Sequence, residues 1–531
     1  MRGLINDVLR RLIGYGIVTL GLILGIVQWV RIRTFHRNQS RLRRRYRITA
    51  STPVLSYGDD IEKLIHNAAR RAGGDARFAM TSGTTGHPKR TLYTKRRLRS
   101  LKFTYIDVFV RYCWAMHIKR TGLYVFSSLG KDDSLSSMLL AEDALPDYLS
   151  TLQAPYRVQC HPAIQALASN YGTTAVRLWI LAIANPGVLY STNPSTLSSF
   201  FDELTTQWQQ SIRLIKDWCT KPEAFHCSAH RVARRLKSRG SDDRLAHIAN
   251  SDAPLTLQQI APAVETYISW TGGYVKPFLD RLVKYLPAER YRLIPMYSMS
   301  TETIETVTSF HGDTITFLPL ARRVLYEFIE ETRKDQSENL ITVDQLEVGK
   351  AYTMVVSDSH GLRRYQTGDL FLCRRMVAGL PDLHFLRRRD LEYSFTGEKL
   401  TAEHVSTVFQ MLREEYSQLV AGRFLSCVPS QPLDESIPHY KVFLIGGAGN
   451  GSADFLSELG RRCDQLLGLM NCEYKSKRRS GRLGEVRFVQ VTSGDFINKI
   501  GGSRQSNTWE AQFKFLPLYR RTWENDSHND S

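Results

Sequence analysis

Nineteen consecutive residues from Leu12 to Val30 (LIGYGIVTLGLILGIVQWV) carry no charge, and nothing else in the chain limits its folding so strongly. As a helix rising about 1.5 Å per residue, this run reaches roughly 28 Å, close to the thickness of a bilayer's hydrocarbon. Tyr15 and Trp29 stand near its two ends, where interfacial aromatics are expected. Eight arginines follow between Arg31 and Arg47, with no Asp or Glu among them. The pattern predicts one transmembrane helix with a stop-transfer flank. A cleaved signal peptide is the competing reading, and the missing small-residue cleavage site counts against it. The heavier positive flank lies downstream, which predicts a single-pass protein whose main part is cytoplasmic. Arginines placed directly after an apolar run face anionic lipid better than nucleic acid, so membrane lipid is an expected partner and nucleic acid is not. Gly21 and Gly25 have the GxxxG spacing that can pair two such helices, which leaves a homodimer open.

A chain of 531 residues is too long for one core. Past Ser51, helical stretches such as Asp59–Arg71, Leu197–Lys216 and Glu403–Ser417 alternate with short β-rich runs such as Leu123–Ser127, Tyr352–Ser357 and Val442–Ile445. That alternation predicts an α/β fold. The polar stretch from Arg387 to Leu400 reads as a hinge. The expected division is an anchor and basic segment over 1–48, a large domain over 49–388, a small domain over 389–523 and a tail over 524–531. The eight cysteines form no CxxC pair and are expected to be reduced thiols. His226, Cys227 and His230 lack further ligands at a recognisable spacing, so no metal is expected there.

The segment richest in chemistry runs from Thr81 to Lys89 (TSGTTGHPK), just after a candidate strand, Arg77–Met80. Gly83 and Gly86 let the backbone turn tightly, so that amides can point at an anion. Ser82, Thr84 and Thr85 add hydroxyl donors, and Lys89 adds positive charge. The loop is suited to gripping phosphates, although its spacing is not that of a P-loop.

This string resembles the phosphate loop of the adenylate-forming superfamily. Further segments resemble one branch of it, the auxin-responsive Gretchen Hagen family of acyl-acid amido synthetases. They are Asn193-Pro194-Ser195-Thr196-Leu197, Phe317-Leu318-Pro319 with Tyr326-Glu327-Phe328, Val348–Tyr352, and Gly361–Asp369 (GLRRYQTGD). Gly397-Glu398-Lys399, Asn471–Tyr474 with Ser480–Leu483, and Gln512-Phe513-Lys514 complete the series. The resemblance covers roughly Ser51 to Arg520. It implies an adenylate-forming two-domain fold, large domain first and small mobile domain second, here preceded by one transmembrane helix. It also implies ATP and Mg²⁺ as cofactors.

Site roles follow from the same resemblance. Thr81, Ser82, Gly83, Thr84, Thr85, Gly86 and Lys89 would hold the phosphates. Asp369 would accept both ribose hydroxyls, and Tyr297, Ser300 and Thr301 would line the adenine and acyl site. Glu302 would hold Mg²⁺, and Arg388 would contact ribose or phosphate. Lys514 would be the mobile catalytic lysine. One residue is added between Tyr297 and Glu302 relative to the plant pattern, which leaves the adenine-contacting residue open. Three consecutive arginines, 387 to 389, leave the register of Arg388 open. The family's Pro-Arg after the lysine is displaced here to Pro517 and Arg520.

The implied reaction activates a carboxylic acid as acyl-AMP, releases pyrophosphate, and passes the acyl group to an amine or amino acid. The small domain would pivot around Arg389–Tyr393 between the two halves. The anchor adds the thought that acid or amine arrives from a bilayer. The competing readings are an acyl-CoA ligase with the same first half-reaction and a catalytically silent membrane-anchored scaffold.

Overall fold

The computed structural model describes residues 2–56, 59–80, 90–118, 122–126, 135, 138, 161–272, 275–296, 300, 302–312, 314–331, 340–388, 392–396, 398–416, 419, 424–430, 437–446, 452–501 and 515–519. These fall into two compact units. The first holds the described residues up to Gly272 together with Leu282–Leu386. The second holds 275–281 and the described residues from Arg387 onward.

In the first unit, β1 (Arg77–Met80) and β2 (Arg90–Tyr93) pair antiparallel. A parallel sheet then runs in the order β3 (Leu123–Phe126), β4 (Val188–Ser191), β5 (Thr266–Ser269) and β6 (Arg292–Pro295). Parallel strands need crossover connections, and helices supply them. One of these, Thr173–Ala184, is largely apolar, with Arg177 its one charge, and is buried from Thr174 onward, with Trp179 fully covered. β7 (Val307–His311) and β8 (Thr314–Leu318) form a hairpin, and β9 (Leu325–Glu330), β10 (Ala351–Ser357), β11 (Tyr365–Val377) and β12 (Leu380–Arg388) form an antiparallel sheet. In the second unit β15 (Phe424–Ser430), β16 (His439–Ile445) and β17 (Arg487–Val491) make a mixed sheet, and β13 (Glu392–Tyr393) pairs with β14 (Leu400–Thr401).

The stretch expected as one helix over Leu197–Lys216 is three, Pro194–Thr206, Trp208–Ser211 and Arg213–Thr220. The break falls where Thr205 and Thr206 turn their hydroxyls onto the carbonyls of Phe201 and Asp202, a bond that competes with the helix. Trp208 is then held at the start of the next turn by its indole N–H on Ser251 O.

The uncharged run lies inside a longer helix, α1 (Arg2–Arg33), and the arginine cluster continues into α2 (Phe35–Arg45). α1 is long and apolar enough to cross a membrane by length and composition. In the structure it packs along α4 (Lys95–Ala115), which follows α3 (Asp59–Ala72) and the β1–β2 pair in the chain. Gly21 sits so close that a Cβ there would lie 2.5 Å from Trp114 Cβ and 2.6 Å from Val110 O. Half of the GxxxG spacing is therefore used within the chain. Two of the eight arginines also turn inward. Arg31 donates to Leu320 O, and Arg43 lies 3.0 Å from the buried Glu327 carboxylate. Gly21→Leu has no room beside Trp114. We expect it to destabilise the docked state by about 1–3 kcal/mol, read as a lower thermal midpoint and faster limited proteolysis of α1.

Candidate active site

The four parallel strands end level, with Phe126, Ser191, Ser269 and Pro295 in register. In open α/β sheets ligands collect beyond this carboxyl edge. The segment bearing Tyr297, Ser300, Thr301 and Glu302 leaves β6 there. Tyr297 and Thr301 lie outside the described residues. Ser300 closes a small turn, its N–H donating to Thr303 O at 3.1 Å and its Oγ accepting from Thr303 N at 3.2 Å. Glu302, inside that turn, is only 5% exposed.

Glu302 is positioned from two sides. The Tyr365 hydroxyl, at the start of β11, donates to its Oε1 at 3.5 Å. Arg97 on α4 donates to its backbone carbonyl at 2.6 Å. The same guanidinium lies 3.2 Å from Asp358 Oδ2 and 4.5 Å over the Tyr93 ring at the end of β2. Burial alone would raise the Asp358 pKa; the Arg97 charge and the His360 hydrogen bonds outweigh it and hold the carboxyl below its ordinary value. The Tyr93 phenol moves the other way, pushed up to about 12 by burial, with Glu302 and Asp358 adding to the push against Arg97. Sequence reasoning missed Arg97, Asp358 and Tyr93. Arg97 stands among Lys95, Arg96 and Arg99, all exposed, and only its helical phase after the Thr94 cap distinguishes it.

Asp369 follows a bulge. On β10 and β11, Val355 pairs with Gln366 and Thr353 with Leu370, so Met354 alone faces Thr367, Gly368 and Asp369. Gly368 takes φ +78°, a conformation that favours glycine. Thr367 pins the bulge, its Oγ1 donating to Met354 O at 3.2 Å and accepting from Asp369 N at 3.2 Å. Bulges of this kind re-aim a side chain next to a functional site. Asp369 is 9% exposed, and β11 carries it on the same strand as Tyr365, the hydroxyl that touches Glu302.

Thr81, Ser82, Gly83, Thr84, Thr85, Gly86 and Lys89 lie outside the described residues. Their two ends do not, since Met80 and Arg90 are paired partners of β1 and β2. The nine residues therefore close a hairpin whose second strand leads to Tyr93 and the Arg97 network. Lys514 is likewise outside the described residues. Its neighbour Phe515 is buried and stacks on Phe424 at 4.8 Å, while Cys427 N donates to Pro517 O and Tyr519 N to Cys427 O. Arg388 is the last residue of β12, and its side chain lies outside the described set.

Other family-like segments prove structural. Asn193 caps a helix by accepting from Ser195 N. The Tyr326 hydroxyl joins Ala321 N to Ile304 O, and Glu327 pairs bidentately with Arg364 at 2.9 and 3.0 Å. Glu398 accepts from Phe395 N, Thr396 N and the Tyr440 hydroxyl at 2.8, 2.8 and 2.6 Å. Asn471 binds Glu398 O and caps Tyr474 N. His226 caps a helix and His230 Nε2 donates to Pro222 O at 2.8 Å beside Trp218; among the described residues no group of three metal-ligating side chains occurs. A cavity of about 420 Å³ lined by Pro162, Leu167, Tyr171, Phe225 and His226 shares no residue with the site.

The fold these residues occupy is that of the solved GH3 structures. The solved structure of AtGH3.15 acyl acid amido synthetase in complex with 2,4-DB superposes with a TM-score of 0.64 at 15% identity, over 88% of this chain and 85% of that one. The family model described as GH3 family N-terminal domain matches residues 75–290, and the GH3 family central domain matches 317–388. The chain belongs to the GH3 family. Among its relatives, jasmonoyl-L-amino acid synthetase GH3.5 of Oryza sativa subsp. japonica is 28% identical over 34% of this chain and 33% of its own length. Probable indole-3-acetic acid-amido synthetase GH3.9 of the same subspecies is 26% identical over 45% of this chain and 58% of its own. The GH3 domain-containing protein of Homo sapiens is 27% identical over 32% of each. The matched stretches thus span between about a third and somewhat over half of these relatives.

Proposed function

We propose that this chain is an ATP-dependent acyl-acid amido synthetase. The observation that carries the reading is the Thr367–Asp369 bulge on the strand whose Tyr365 fixes Glu302, beside a sheet edge suited to ligands. A carboxylate can accept two hydroxyl donors at once, as the ribose of ATP offers them, and Asp369 takes that role. The hairpin loop from Thr81 to Lys89 supplies amides, hydroxyls and an ammonium to the phosphates. Ser300, with Tyr297 and Thr301, borders the base and the acid, and Arg388 reaches ribose or phosphate. Glu302, a buried carboxylate beside the Tyr365 hydroxyl, fits a hard cation and would hold Mg²⁺, whose charge would offset that of the phosphates.

In the first half-reaction an oxygen of the substrate carboxylate bonds to the α-phosphorus, the bond to the bridging oxygen breaks, and pyrophosphate leaves. Lys514 stabilises the charge developing there. In the second, the amine nitrogen bonds to the acyl carbon, the acyl–phosphate bond breaks, and AMP leaves as the nitrogen loses a proton. The chain's share in both is positioning and charge neutralisation.

Acid-dependent exchange of pyrophosphate into ATP over a panel of acids tests the first half. No exchange with any acid would leave the silent scaffold. Product analysis with CoA and with amino acids tests the second, and a thioester as sole product would make this an acyl-CoA ligase. Lys514→Ala is expected to slow exchange roughly a hundredfold or more, while transfer from supplied acyl-AMP changes far less; equal slowing of both would remove the lysine's assignment.

A further inference from the structure

A helix lying on a water-exposed domain ordinarily turns its apolar residues inward and its polar residues out. α1 departs from this rule: Ile17, Val18 and Ile32 pack on the core, yet its most exposed positions are apolar as well. Among its described residues the fully buried positions are Asn6, Gly14, Gly21 and Gln28, the last three spaced by seven on one face. Their amides are used inward, Asn6 Nδ2 on Lys237 O at 2.9 Å and Gln28 Nε2 on Thr308 O at 3.5 Å. The opposite face shows Leu12, Tyr15, Leu22, Ile23, Ile26 and Trp29, each between 45% and 74% exposed. Only 17% of the helix's most apolar eighteen-residue stretch is buried. This is the patterning of a helix whose outer solvent is hydrocarbon.

The charge beside it selects the kind of membrane. With Arg31 and Arg43 turned inward, Arg33, Arg37, Arg41, Arg44, Arg45 and Arg47 remain exposed, and no acid lies between them. Guanidinium groups next to an apolar face complement anionic headgroups. The helix is also tied to its own unit at both ends. Near its start Asn6 is joined by Asp7, whose carboxylate accepts from Arg239 N at 3.0 Å. Near its end Gln28 is joined by Arg31, 3.9 Å from Asp107. Crossing a bilayer would break one set of ties or the other. α4, its packing partner, begins with Lys95, Arg96, Arg97 and Arg99 and cannot accompany it into hydrocarbon.

We propose that α1 and the exposed arginines form a monotopic docking surface for an anionic bilayer, with α1 lying in the interface plane and both of its ends on one side. The test uses the full chain with phosphatidylcholine vesicles, with and without phosphatidylserine. Flotation with the phosphatidylserine vesicles is expected. The triple change Arg37→Glu, Arg41→Glu and Arg44→Glu should weaken that binding at least tenfold, and Ile23→Asp with Ile26→Asp should abolish it, with parental thermal midpoints showing that both variants fold. A tag placed before Met1 should be removed by protease added outside intact vesicles. A protected tag would mean a spanning helix and overturn the proposal. So would absence of lipid binding, with the apolar face covered by a second copy of the chain in a stable dimer, or binding that the arginine changes leave untouched.

Discussion

Asp369→Ala is expected to lower acid-dependent ATP–pyrophosphate exchange by roughly two to four orders of magnitude, since two hydrogen bonds to a charged acceptor are worth about 1.5–3 kcal/mol each. The loss should fall on the nucleotide, as weaker ATP binding and slower adenylation, because the change removes only the carboxylate that the ribose hydroxyls would use. Asp369→Asn keeps the volume and one acceptor oxygen and should fall between parent and Ala. The backbone around the position is held independently by Thr367 and by Gly368 at positive φ, so the thermal midpoint should move little. Unchanged exchange in the Ala variant would remove the ribose assignment, and a collapsed midpoint would make the residue structural.

Glu398→Ala is expected to produce the largest loss of stability, about 3–5 kcal/mol, because it leaves the buried Tyr440 hydroxyl and two half-buried backbone N–H groups without their charged acceptor. Those donors are Phe395 N, Thr396 N and the Tyr440 hydroxyl, and Glu398 is fully buried. Burial alone would raise its pKa; the backbone N–H groups and the Tyr440 hydroxyl outweigh that and hold it below its ordinary value of 4.5. A folded pKa depressed in this way contributes stability that is complete above about pH 4.5 and is lost as the pH falls through the folded value. The parent's second unit should therefore loosen on acidification, while the Ala variant lacks that dependence. Hydrogen exchange of β15 and β16 across this range reads both, and a variant as protected as the parent would refute the assignment.

The contrast between these two carboxylates shows how much of the molecule was legible. Glu398 and Asp369 belong to family-like strings of equal prominence, yet one organises a turn and the other stands at a bulge beside the candidate site. Local periodicity located the elements well, as with Asp59–Ala72 against an expected Asp59–Arg71, and Arg77–Met80 as expected. It did not show the bulge, because the register of β11 exists only in its pairing with β10, which no local pattern carries. The Arg97 clasp was hidden for the same reason: its partners Glu302 and Asp358 lie more than two hundred residues along the chain. The inward arginines show the limit of composition. A run of eight positive charges reads as uniform until Glu327 and Leu320 O each claim one.

Phe515 limits what Lys514 can do. Consecutive Cα atoms are about 3.8 Å apart, so the ammonium's reach is one side chain measured from a residue clamped between Phe424 and Phe496. In the role proposed for Lys514, approach to the phosphate and withdrawal from it would therefore involve the contacts that hold Phe515, namely the Phe424 and Phe496 rings and the main-chain bonds that join Pro517 and Tyr519 to Cys427, and not the lysine side chain alone.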